Sequence, residues 1–89
     1  MVYYYLEIND ENYIKYKYYP EDNKNFKPGM IIFDKILETI EIESAEKDFE
    51  RFEEELNELW YWYTDHAVRS IINDYYKGIV REVGMVAWY

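Results

Sequence analysis

The first third of the chain alternates between apolar and polar positions with a period of two. "VYYYLEI" (Val2–Ile8) gathers valine, tyrosine, leucine and isoleucine, side chains that pack well on a pleated surface. "YIKYKYY" (Tyr13–Tyr19) sets Tyr16 and Tyr18 against Lys15 and Lys17, the pattern of a half-exposed strand. Between them, "NDEN" (Asn9–Asn12) is a turn cluster, because Asn and Asp bond to their own backbone and tolerate turn dihedrals. The two segments predict an antiparallel hairpin ending at Pro20. "PEDNKNFKPG" (Pro20–Gly29) reads as a loop that closes on a Pro-Gly turn. "MIIFDKI" and "TIEIES" predict a second hairpin around Asp34–Glu38, with Ile40 and Ile42 on one face and Glu41 and Glu43 on the other.

The period then lengthens. Ser44 is a suitable N-cap, and Glu46 and Asp48 suit an electropositive helix start. Phe49, Phe52, Leu56, Leu59, Trp60 and Tyr63 recur every three or four residues as one apolar stripe. Glu46, Glu50, Glu53, Glu54 and Glu58 fall on another side, as a continuous acidic face. Beyond Tyr63 the stripe changes phase: Val68, Ile71, Ile72 and Tyr75 lie about 100° round from it. Two readings fit. The helix breaks near Thr64–Asp65, either of which can cap a second one; or one long helix passes between two buried environments, with Trp60–Tyr63 at the crossover. The break is preferred, because a straight helix from Ser44 to Lys77 would be roughly 50 Å long and would need a partner chain. Gly78 is a plausible helix stop, and the apolar "GMVAWY" (Gly84–Tyr89) is expected to pair as a last strand. The fold class is α+β: a mainly antiparallel sheet of four to five strands packed on one long or two consecutive helices, ββββα(α)β, in a single domain over 1–89.

Composition changes the picture in two ways. Nineteen of the 89 residues are aromatic and twelve are tyrosine. A chain this short buries only about 60–65% of its unfolded surface, so a few large rings can compensate for small size; an aromatic contact surface is the other reading. The net charge of −9 is also unevenly placed: residues 38–58 hold ten acids against Lys47 and Arg51, or −8. That segment would repel a polyanion, which argues against direct nucleic-acid binding. The absence of cysteine excludes a disulfide framework and thiolate zinc sites and fits a reducing cytoplasm. No basic, apolar leader opens the chain and no apolar run nears the roughly 20 residues of a membrane span, so neither a signal peptide nor a membrane partner is expected.

"GMVAWY", "YYYLEI" and the "FDK…IEIE" hairpin together resemble a set of small uncharacterised bacterial proteins that finish in this way. The resemblance covers about half the chain. It implies a compact bacterial or mobile-element protein, carries no activity and transfers no functional residue. The acidic and aromatic stretch Glu46–Tyr63 departs from that pattern.

Candidate chemistry is thin. On a helix His66 neighbours Trp62, Tyr63, Arg69 and Ser70, and a histidine with Ser70 but no positioned carboxylate is a poor triad. Asp65 and Arg69 form an ordinary i, i+4 pair. Glu53, Glu54, Glu55 and Glu58 lack a calcium-loop spacing, and the three glycines are too scattered for a phosphate loop. Tyr16, Tyr18 and Tyr19 beside Lys15 and Lys17 have the make-up of a base-stacking sheet, but the overall charge opposes it. No enzyme activity, cofactor or metal is expected. The function expected is a small acidic protein-binding module, with Glu46, Glu50, Glu53, Glu54 and Glu58 steering a basic partner and Trp62 anchoring it. Small acidic phage and mobile-element proteins that block restriction or CRISPR nucleases by imitating nucleic acid give the analogy. The alternative is a small-ligand binder with an aromatic pocket near Trp60, Trp62 and Trp88. The surplus of rings around Trp60–Tyr63 points to a homodimer through the helical segment.

Overall fold

Two aspartates turn the chain. Asp10 Oδ1 accepts hydrogen bonds from the backbone N–H groups of Asn12 (2.9 Å) and Tyr13 (2.8 Å). Asp34 Oδ1 does the same for Ile36 (2.9 Å) and Leu37 (3.0 Å). Each bend closes an antiparallel hairpin. The second turn has no glycine, so Glu38 takes the left-handed conformation itself, at φ 56°. Lys35 ties the two bends together, its Nζ donating to Asn9 Oδ1 (2.9 Å) and to the Asp10 carbonyl (2.6 Å).

The computed structural model describes residues 1–46 and 62–87. These hold β1 (Val2–Asn9), β2 (Tyr13–Pro20), β3 (Gly29–Asp34), β4 (Thr39–Glu43), α1 (Trp62–Tyr76) and β5 (Val83–Val86). The fold is α+β, as expected: a five-stranded antiparallel sheet in the order β4-β3-β2-β1-β5, with one helix packed on it. Gly84–Val86 of "GMVAWY" fall in the last strand, which begins at Val83 and pairs with β1 at the sheet edge; Ala87 lies beyond it. Pro28–Gly29 is not a turn, because Gly29 is the first residue of β3.

The expected break at Thr64–Asp65 is absent, since α1 runs through both residues. Its buried stripe is Tyr63, Ala67 and Ile71, spaced by four, with Val68, Ile72 and Tyr75 packed alongside. Ala67, buried between Tyr63 and Ile71, continues the stripe from Tyr63 into the helix. A helix capped by Ser44 is not seen either, since Ala45 and Glu46 are not helical; the rest of that segment, with the stripe from Phe49 to Trp60, lies outside the described residues. Gly78 ends α1 as expected. At φ 85° it donates its N–H to the Tyr75 carbonyl (2.9 Å), and Ile79 donates to the Asp74 carbonyl (2.8 Å), the paired bonds of a Schellman stop.

The core lies between α1 and the inner sheet face. Val2 and Tyr4 from β1, Ile14, Tyr16 and Tyr18 from β2, and Ile31 and Phe33 from β3 are all buried. One row across the sheet is unusual: Gly84, Tyr4, Tyr18 and Gly29 stand opposite one another on β5, β1, β2 and β3. The two rings lie outward over the flanking glycines. A Cβ at Gly29 would sit 2.2 Å from Tyr18 Cζ, and one at Gly84 would sit 2.2 Å from Tyr4 Cζ. The glycines are there for space, so that central-strand rings can cover the neighbouring backbone.

Gly29→Ala and Gly84→Ala should each cost about 2–3 kcal/mol by overpacking, read as a lower urea midpoint. Gly78→Ala meets nothing within 4 Å and should cost only about 1 kcal/mol, from its positive φ alone. In a double-mutant cycle, Gly29→Ala with Tyr18→Leu should cost less than the sum of the two; strict additivity would refute the ring-over-glycine contact.

Candidate functional site

Burying a tyrosine leaves a hydroxyl that needs a partner, and these partners decide how α1 sits. Tyr4 Oη lies 2.6 Å from Ser70 Oγ. The Tyr18 hydroxyl pairs with Thr64 Oγ1 and accepts the Ala45 N–H at 3.2 Å. Tyr16 donates to the Arg81 carbonyl at 2.6 Å, on the segment between α1 and β5. Thr64 and Ser70 face inward for this reason, although neither is apolar. Among the described side chains no buried nitrogen or oxygen lacks a hydrogen-bond partner. Burial, with the neighbouring Tyr4 adding to it, pushes the Tyr16 pKa up to about 12.

This arrangement bears on the chemistry considered for His66. Ser70, one helical turn further on, is engaged by Tyr4. His66 itself is half-buried, and its pKa is lowered by that burial, against the field of Asp65. Asp65 and Arg69 make the expected i, i+4 pair at 3.4 Å, on the surface. Among the described residues, no group of three His, Asp or Glu side chains is placed to hold a metal. No described helix is long and apolar enough to cross a membrane.

The outer sheet face has a different character. Tyr16 and Tyr18 point inward, so the base-stacking surface considered for them does not exist as composed. Tyr5 and Tyr19 face outward, edge to face with centroids 5.7 Å apart, and Lys24 Nζ lies 4.7 Å above Tyr5 and 5.3 Å from the Tyr19 centroid. Tyr5 donates to Asp22 at 2.6 Å, a bond that raises the Tyr5 pKa. A bulge between Leu6 and Ile8 flips Ile8 to the outer face, opposite Lys15. There Ile8 and Ile32 floor an open groove of about 400 Å³ rimmed by Tyr13, Asp34 and Glu41.

At the far side of this face, β4 is an edge strand. All five of its residues are exposed, with Glu41 and Glu43 outward and Ile40 and Ile42 on the α1 side. α1 packs over β1, β2 and β5, so Ile40 and Ile42 remain 38% and 48% exposed, whereas Ile31 on β3 is 1% exposed. Ile42 lines a second groove of about 400 Å³, against Thr64, Asp65 and Val68 of α1. No family model, curated protein or solved structure matches the chain. The site must therefore be argued from these side chains.

The partner-binding residues named from the sequence are only partly placed. Glu46 sits in the turn after β4, not on a helical acidic face. Its Oε1 accepts the Lys27 N–H at 2.8 Å, and its own N–H donates to the Lys27 carbonyl at 3.0 Å, so it clamps the loop before β3. Trp62 opens α1. Glu50, Glu53, Glu54 and Glu58 lie outside the described residues, as do Trp60 and Trp88 of the aromatic pocket and most of the helical segment expected to dimerise. Glu41 and Glu43, expected both as the solvent side of a strand and as the start of a Glu41–Glu58 run of carboxylates imitating phosphates, are exposed on β4. The missing signal was that β4 would be last in the sheet, which alternation alone does not reveal.

The Tyr16 shift predicts an alkaline limit. Unfolded tyrosine loses its proton near pH 10, and folded Tyr16 at about 12. The folded state therefore holds the extra proton between these values, and its stability, fully present below about pH 10, falls as pH rises towards 12. The Tyr16 phenolate should appear in the absorbance only near pH 12 or with loss of the circular-dichroism signal. Tyr16→Phe should flatten that decline; an unchanged slope would refute the assignment.

Proposed function

We propose that this chain is a small acidic protein-binding module that docks on a basic partner, its carboxylates occupying a surface built for nucleic-acid phosphates, such as that of a defence nuclease. One observation supports the reading. Among the described residues, Glu38, Glu41, Glu43 and Glu46, the acids of the charge-rich block, have no ion-pair partner. Five acids outside that block are paired within 3.5 Å: Glu7 with Lys17, Glu21 with the amino terminus, Asp22 with Lys24, Asp65 with Arg69 and Asp74 with Arg81. Of the acids in the block, Glu41 and Glu43 stand without an ion pair, among the described residues, on the strand that ends the sheet.

Magnitudes define what such a surface does. An exposed charge pair at contact distance contributes about 1 kcal/mol in water, and salt screens it beyond about 8 Å. Several pairs together steer and orient an encounter, while affinity also needs an apolar anchor. Glu41 and Glu43 alternating with exposed Ile40 and Ile42 combine both on one strand.

In a cleavage assay with a purified restriction or CRISPR nuclease, added chain should inhibit in competition with DNA. Inhibition should weaken by about tenfold or more between about 50 and about 200 mM salt. The combined variant Glu50→Lys, Glu54→Lys, Glu58→Lys should abolish it without changing the circular-dichroism spectrum. Undiminished inhibition by that variant would overturn the reading and leave the acidic run a solubility device.

A further inference from the structure

The geometry points to a mode of docking: we infer that the free edge of β4 adds a strand from the partner, an extended segment in which basic and aliphatic residues alternate. This rests on the reading of the chain as a module for basic partners and specifies which segment of such a partner it takes.

Among the described residues β4 pairs with β3 alone. Every second residue therefore turns its N–H and C=O away from the sheet, a ready template for another strand. A strand laid there has its side chains in register with those of β4, alternately on the two faces, with opposed Cβ atoms about 4.5–5.5 Å apart. On the outer face they meet Glu41 and Glu43, which have no ion-pair partner among the described residues. On the α1 side they meet Ile40 and Ile42, left 38% and 48% exposed. The complement of Glu-out, Ile-in is cation-out, aliphatic-in.

The same residues select against the chain itself. Two copies joined through β4 about a two-fold axis pair antiparallel with like faces together, which sets glutamate against glutamate and is disfavoured. The other edge offers no such choice: β5 is Val83, Gly84, Met85 and Val86, without a charge. Main-chain bonds supply affinity in this mode and alternate side chains supply specificity.

The probe is a short end-blocked synthetic peptide of alternating lysine and valine, titrated into the whole chain and followed by backbone-amide NMR and calorimetry. Shift changes should centre on Thr39–Glu43. The same residues in scrambled order, or the peptide N-methylated at every second amide on the pairing edge, should bind about tenfold or more weakly. Glu41→Lys with Glu43→Lys should weaken the lysine peptide and admit a glutamate–valine one; both positions are exposed, so the variant's unfolding midpoint serves as the check on folding. Equal binding of ordered, scrambled and N-methylated peptides would overturn strand addition while leaving charge-led docking intact. Shifts centred on β5 would overturn the choice of edge. No peptide binding, with nuclease inhibition retained, would overturn the inference alone; loss of both would overturn the function as well.

Discussion

The sheet depends on two rings lying over two glycines. Tyr4 and Tyr18 face each other on the central strands and lean outward over Gly84 and Gly29. Each ring covers backbone that would otherwise face the helix with nothing between, and each carries its hydroxyl up to α1. Small domains are short of apolar volume. Here tyrosine supplies it, and the polar tip that burial would penalise becomes the pin that orients the helix. Thr64 and Ser70 hold two of those pins, and the Arg81 carbonyl holds a third for Tyr16, on the segment leading from α1 into β5. Strand pairing, helix placement and the return of the chain to β5 therefore share one set of contacts.

That dependence explains why the core is lopsided. The pins and the helix sit over β2, β1 and β5, which leaves β4 outside their reach. Glu21 shows the same economy nearer the loop: the amino terminus and the Tyr63 hydroxyl both donate to its Oε2, at 2.8 and 2.9 Å. The amino terminus, more than the tyrosine, holds that carboxyl below its usual pKa. Glu21 and Asp74 are engaged in tying the fold together, whereas Glu41 and Glu43 on β4 have no ion-pair partner among the described residues.

Much of the fold was legible because its signals are local. Alternation marked the strands, Asp10 and Asp34 marked the turns, and Gly78 marked the helix stop, each through chemistry confined to a few neighbouring residues. What was missed is non-local. The break expected at Thr64–Asp65 rested on a change of phase between apolar positions, and that pattern does not show that Thr64 and Ser70 answer tyrosine hydroxyls across the sheet. Gly29 read as a turn because nothing in its own neighbourhood announces Tyr18 on another strand. Nothing in the sequence announced the bulge between Leu6 and Ile8 that sets Ile8 opposite Lys15. Glu46 read as helical because its carboxylate's partner, the Lys27 backbone, is 19 residues away. For the candidate site, the alternation of Glu41 and Glu43 with Ile40 and Ile42 was visible, but its place at the sheet edge was not.

The two edges of the sheet pose the same hazard and meet it differently. An unpaired strand edge invites association with any extended chain. β5 is only four residues long and its Gly84 is buried beneath Tyr4, so brevity and shape limit what can pair with it. β4 is longer and exposed throughout, and its protection is charge. Carboxylates repel copies of the chain and any acidic segment, yet they attract a basic one. Like charges opposed across such an edge are unfavourable, whereas opposite charges are favourable. The same two glutamates oppose an acidic strand at this edge and would favour the basic one proposed for it.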